Sequence, residues 1–94
     1  MTLAEFEASL AAAAPPAVHP NLQALWWQAK GDWDAAHEVV QERSDRDAEW
    51  IHAFLHRDEG DLGNAGYWYR RAGRPAANGD LRDEWRAIAT ELLR

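Results

Sequence analysis

The stretch WIHAFLHRDEGDLGNAGYWYRRAG, residues 50–73, holds two amphipathic runs separated by a Gly-Asp turn. Gly60 suits that turn because glycine takes the left-handed conformation that commonly ends a helix. Apolar residues recur at helical spacing on both sides of the turn: Trp50, Ile51, Phe54, Leu55, Ala65, Trp68, Tyr69 and Ala72. The stretch therefore predicts two helices that fold back on each other as a hairpin.

The same pattern occurs earlier in the chain. Aligning the Gly-Asp pair at 31–32 with the pair at 60–61 also superposes Ala24 on Ala53 and Ala36 on Ala65. A helical hairpin with a glycine turn and a small alanine at the start of its second helix resembles the tetratricopeptide unit. The resemblance covers about residues 20–75 and implies a helical-repeat fold.

The remaining segments predict one further helix at each end. Thr2 and Glu5 form a capping box for an N-terminal helix, and Asp80 caps a final helix. Between them we expect Asn21 to cap the second helix and Trp33 to lie in the first hairpin turn. The sequence thus predicts one all-α domain, 1–94, of about six helices: two tetratricopeptide-like hairpins at about 21–43 and 47–72, an N-terminal helix, and a capping helix at about 80–93.

Composition excludes several classes of function. A net charge of −6 opposes binding to nucleic acid or to anionic membranes. No apolar run is long enough to cross a bilayer, and the absence of Lys and Arg from residues 1–14 is unlike a targeting peptide. We therefore expect a cytoplasmic protein. The absence of cysteine excludes disulfides and thiolate zinc sites.

A narrower resemblance lies in HAFLHRDEGDLGNAGYWYRR, residues 52–71. The string is similar to a motif shared by a family of small uncharacterised, mostly bacterial proteins. This resemblance implies the helical fold and a common role, and it assigns no catalytic function to any residue.

Two histidines share one face of the fourth predicted helix. His52 and His56 are four residues apart and Glu59 follows three later, a spacing that a divalent metal could use with His37 from the preceding helix. A zinc-protease helix would need glutamate where this chain has Ala53. We favour a polar seam of these four residues, His37, His52, His56 and Glu59, without metal or cofactor, in which each ring bonds a carboxylate, a backbone carbonyl or a tyrosine hydroxyl.

Aromatic and arginine side chains suggest two further binding surfaces. We expect Trp50, Phe54 and Arg57 to face a groove that recognises a peptide, a protein or a second copy of the chain. Tyr67, Arg70 and Arg71 share one helix face that suits a small anion, although pairing with Asp58, Glu59 and Asp61 is the simpler explanation of these arginines.

No nucleophile or phosphate-loop motif is present. The sequence therefore predicts a non-enzymatic binding module. The alternative is a small-molecule, anion or metal site in the seam, with enzymatic activity as one form of it.

Overall fold

The computed structural model describes all residues, 1–94, and contains six α-helices and no strand. The predicted all-α fold of about six helices is confirmed. A short 3₁₀ turn, Ser9–Ala11, follows the first helix. The helices are α1 (Leu3–Ala8), α2 (Pro20–Ala29), α3 (Trp33–Val40), α4 (Arg46–Asp58), α5 (Leu62–Ala72) and α6 (Leu81–Leu92).

Short polar side chains begin most of the helices. The capping box of α1 forms as predicted, because Glu5 N–H donates to the Thr2 hydroxyl and Thr2 N–H donates to the Glu5 carboxylate. Aspartates cap the other helices except α2, and each side chain accepts a backbone N–H of the first turn. Capping satisfies donors that the helix itself cannot pair. The residues concerned are Asp32, Asp45, Asp61 and Asp80.

Two predicted boundaries need correction. The cap of α2 is His19, whose Nδ1 accepts from Asn21 N–H, because Pro20 takes the first helical position, where a missing N–H costs nothing. Trp33 is the first residue of α3 and does not lie in the turn, because the Asp32 side chain caps that helix. The helix therefore carries the Trp33 indole on its first turn.

The two hairpins pack around a central helix. The pairs α2–α3 and α4–α5 form the hairpins, and α4 also contacts α2, α3 and α6. Helix α6 packs against α1, α2 and α4. Trp85 of α6 stacks on Phe6, with ring centroids 5.5 Å apart, and its indole N–H donates to the Leu25 carbonyl at 2.9 Å. Helix α6 thus covers the core and packs against the N-terminal helix.

The two hairpin turns set where the second helix of each pair begins. Gly31 and Gly60 have φ of +87° and +88°, a region that residues with a side chain rarely adopt. In both turns the next residue's N–H donates over 2.9 Å to a carbonyl five residues back, that of Trp27 or His56. Each second helix therefore starts directly beside the end of the first. None of the six helices combines the length and hydropathy that a membrane span requires.

Candidate metal centre

Three histidines from two helices meet in one cluster. His37 comes from α3, and His52 and His56 come from successive turns of α4. The Nε2 atoms of His37 and His52 are 3.0 Å apart. One ring nitrogen from each histidine lies within 4.8 Å of those of the other two. The predicted third partner, His37, is therefore in place.

Indole rings fix the orientation of two of these imidazoles. Trp33 stacks on His37 at a centroid distance of 4.8 Å, and its indole N–H donates to the Leu55 carbonyl at 2.7 Å. Trp68 of α5 stacks on His52 at 3.9 Å, with the two planes 15° apart. Side chains from three helices thus hold the cluster, and flat aromatic packing restricts rotation of both rings.

A carboxylate orients the third imidazole. The Nδ1 atom of His56 lies 2.7 Å from Oε2 of Glu59. In the tautomer with the proton on Nδ1, that nitrogen donates to the carboxylate and the lone pair of the ring is on Nε2. This is the tautomer that a metal-binding histidine needs when a carboxylate supports its other nitrogen.

His52 is the most constrained member of the cluster. It is 5% exposed, its only polar contact is with His37, and its Nδ1 has no hydrogen-bond partner. The expected bond to a carboxylate, carbonyl or tyrosine hydroxyl is therefore found for His56 but not for His52. Burial, reinforced by the neighbouring His37 and His56, lowers the pKa of His52 to about 4.

The protonation state of the cluster favours metal binding. Burial also lowers the pKa of His37, with His56 adding to the effect. At neutral pH both rings are consequently uncharged, and both Nε2 atoms could bind a metal ion once the proton shared between them has moved to Nδ1 of the donor ring. The sequence could show which residues share a face, but it could not show the burial of His52, because Trp68, which stacks on that ring, comes from another helix.

Trp50 and Phe54, two of the residues expected to line a groove, are buried within the chain. Phe54 is fully buried and Trp50 is 7% exposed, because α6 covers this side of α4. Glu84 of α6 accepts from the Trp50 indole at 3.3 Å, from Arg57 at 2.9 Å and from the Tyr69 hydroxyl. These side chains form a hydrogen-bonded network that joins α4, α5 and α6.

Of the three residues predicted to bind an anion, Tyr67, Arg70 and Arg71, one forms an ion pair within the chain. Arg71 pairs with Glu49 at 3.1 Å and donates to the Tyr67 hydroxyl at 3.2 Å. Tyr67 and Arg70 are exposed, and Arg70 makes no ion pair. Arg71 thus pairs with an acid, but the acid is Glu49 and not Asp58, Glu59 or Asp61.

Sequence reasoning missed Glu84, although a signal was present. It lies within the helical apolar pattern of α6, whose buried members include Trp85 and Ile88. An acid at such a position faces the core and needs buried donors.

Comparisons with protein-family models, with curated proteins and with solved structures find no match to this chain. The functional argument therefore depends on the arrangement of its own side chains, of which the three-histidine cluster is the most specific.

Proposed function

We propose that this protein binds one divalent transition-metal ion, with Zn²⁺ as the best match, through His37, His52 and His56. The observation that carries the proposal is the approach of three imidazoles, with two Nε2 atoms 3.0 Å apart. Tetrahedral zinc with Zn–N bonds of about 2.0–2.1 Å places neighbouring ligand nitrogens about 3.3 Å apart. One ring nitrogen of His56 lies within 4.8 Å of a nitrogen of each of the other two rings, so His56 would move closer to complete the same geometry.

A purely structural polar seam accounts less well for these contacts. A hydrogen bond between two neutral imidazoles uses one nitrogen of each ring, so it joins His37 to His52 and leaves His56 outside the contact. A metal ion instead accepts a lone pair from all three rings at once, which supplies a reason for gathering them.

The ligand chemistry also limits which metals fit. Three neutral imidazoles without thiolate suit Zn²⁺, Cu²⁺ or Ni²⁺ better than Mg²⁺ or Ca²⁺, which prefer oxygen ligands. The chain's net charge of −6 favours the approach of a cation.

Metal titration of paired histidine variants tests this function. The chain, first freed of metal with a chelator, is titrated with Zn²⁺ against a chromophoric competitor. We expect one equivalent of Zn²⁺ to bind. His37→Asn should weaken this binding by at least tenfold, because losing even a residue that only supports a ligand lowers metal affinity by about 10- to 100-fold. His19→Asn is the matched control, because His19 is exposed and asparagine preserves its capping role. Absence of Zn²⁺ binding to the wild-type chain would contradict the proposal. An equal loss of Zn²⁺ affinity in His37→Asn and His19→Asn would contradict it as well.

We also infer that the two hairpins are repeats of a tetratricopeptide-like unit. Support comes from the turns at Gly31 and Gly60, which share φ, the hydrogen bond across the turn and an aspartate cap on the next helix. In this interpretation the metal site lies at the junction of the repeats, because His37 belongs to the first and His52 to the second. Peptide recognition by a groove at Trp50 and Phe54 has less support, since both rings are buried.

A further inference from the structure

We propose that a metal ion bound by the three histidines keeps one open coordination position, which takes water or a small anion. This inference rests on the proposed metal binding and adds the ligand class of that site. It follows from the placement of Glu59, which supports a histidine from outside the ligand set.

The carboxylate of Glu59 is bound on the far side of the His56 ring from the proposed ligand atom. Its Oε2 lies 2.7 Å from Nδ1, whereas the lone pair left for the metal is on Nε2. The two ring nitrogens have lone-pair directions that diverge, so one carboxylate cannot hold the first and ligate a metal on the second. Glu59 groups with His56 and Asp61, and not with His37 and His52. It is therefore placed as an outer partner.

No other protein group is placed to provide a fourth ligand. Asp61 is engaged in capping α5, where its Oδ1 accepts the Asn64 N–H at 3.1 Å. The chain has no cysteine, and the cluster within 4.8 Å contains imidazoles alone. Zinc sites with four protein ligands are closed and structural, whereas sites with three keep a position for water or another small ligand.

Charge and access favour an anion at this position. Neutral imidazoles leave the 2+ charge of the metal uncompensated within the ligand set, and an anionic ligand reduces that charge. His37 is partly exposed while His52 and His56 are buried, so one side of the cluster remains accessible to solvent. A ligand of a few atoms is the class that this side admits.

Cobalt substitution provides the test. Co²⁺ replaces Zn²⁺ in the full chain, its visible absorption reports the coordination sphere, and azide serves as the probe anion. We expect a saturable azide-induced spectral change in the wild-type protein. Glu59→Ala should keep this response but bind the metal about 10- to 100-fold more weakly, because it loses an outer-shell partner. Glu38→Ala is the matched control, since this exposed glutamate next to His37 should change neither property.

Different failures have different meanings in this experiment. A wild-type spectrum insensitive to azide, together with a sensitive Glu59→Ala spectrum, would show that Glu59 is itself a ligand and would overturn the open position. Insensitivity of both proteins would overturn it as well, because another group would then complete the site. A protein that takes up neither Zn²⁺ nor Co²⁺ would overturn the proposed function and this inference with it.

Discussion

His52 shows at the scale of one residue how the fold prepares the site. Its ring is enclosed by Trp68, His37 and His56, and it gives up hydration without a full set of hydrogen bonds. Burial of this kind disfavours the imidazolium, which is why the pKa falls. The same desolvation keeps the ring neutral, which is the form that binds a metal ion. The proposed function therefore gives a reason for a burial that lowers the stability of the fold.

The metal-free protein should lose stability as pH falls from about 6.5 to about 4. The pKa of His52 is about 4 in the folded chain against a model value of 6.5, so the unfolded chain binds more protons within this interval. The contribution of His52 is intact above pH 6.5 and is lost towards pH 4, by roughly 2–3 kcal/mol at pH 4.5. Urea unfolding at pH 7 and pH 4.5 measures it.

A histidine variant separates this effect from the titration of carboxylates over the same interval. His52→Gln should reduce the pH dependence of the unfolding free energy, because it removes the buried imidazole. The same difference between the two pH values in His52→Gln and in the wild type would contradict this assignment.

Sequence spacing predicted part of the cluster and missed the rest. It placed His52, His56 and Glu59 on one face because helical periodicity is local, and it named Glu59 or His37 as the third partner. It did not find the stacking of Trp33 or Trp68 on these rings. The stacking of Trp68 on His52 depends on which faces of α4 and α5 meet, whereas that of Trp33 on His37 is a contact between residues four apart on α3 that spacing could have indicated.

Helix boundaries follow the same distinction between local and tertiary determinants. The capping box of Thr2 and the cap of Asp80 were predicted because each depends on residues within a few positions. Asn21 has an equally good capping side chain, yet its Nδ2 donates to Asp45 at 2.8 Å, at the start of α4. The Oδ1 atom that a cap would use has no hydrogen-bond partner, and the cap passes to His19 because Pro20 takes the first helical position.

Alanine at two glycines of the second hairpin should have opposite effects. Gly60 has φ of +88°, so Gly60→Ala should destabilise the protein by about 1–2 kcal/mol through backbone strain. Gly63 lies in the first turn of α5 without positive φ, and Gly63→Ala should stabilise it by up to about 1 kcal/mol. A Cβ at either position meets no atom within 4 Å, so packing does not complicate the comparison.

Thermal unfolding measures both glycine variants. Gly31→Ala repeats the test in the first hairpin. Because Gly31 has φ of +87°, its loss of stability should be close to that of Gly60→Ala. Changes of the same sign in Gly60→Ala and Gly63→Ala would show that the left-handed turn does not determine the cost.

At the scale of the whole molecule, α4 and α6 make the two hairpins one cooperative unit. Helix α4 contacts both helices of the first hairpin, and α6 contacts α2 and α4. The buried pair of Arg57 and Glu84, 2.9 Å apart, joins these two helices, and removing one partner of such a pair costs about 3–5 kcal/mol. The proposed metal site adds a further link, because His37 belongs to α3 and the other two histidines belong to α4.

Zn²⁺ should therefore raise the melting temperature of the entire chain in a single transition. An ion that binds the folded state alone stabilises it by about 2.7 kcal/mol when its free concentration is 100 times Kd. For a domain of this size each kcal/mol corresponds to roughly 4–8 °C, so we expect a rise of about 10–20 °C. Calorimetry at pH 7 measures the shift, which His37→Asn should largely abolish and His19→Asn should retain. Equal shifts in both variants would locate the stabilising ion elsewhere. Two separate transitions would show that the hairpins unfold independently and that the metal does not couple α3 to α4.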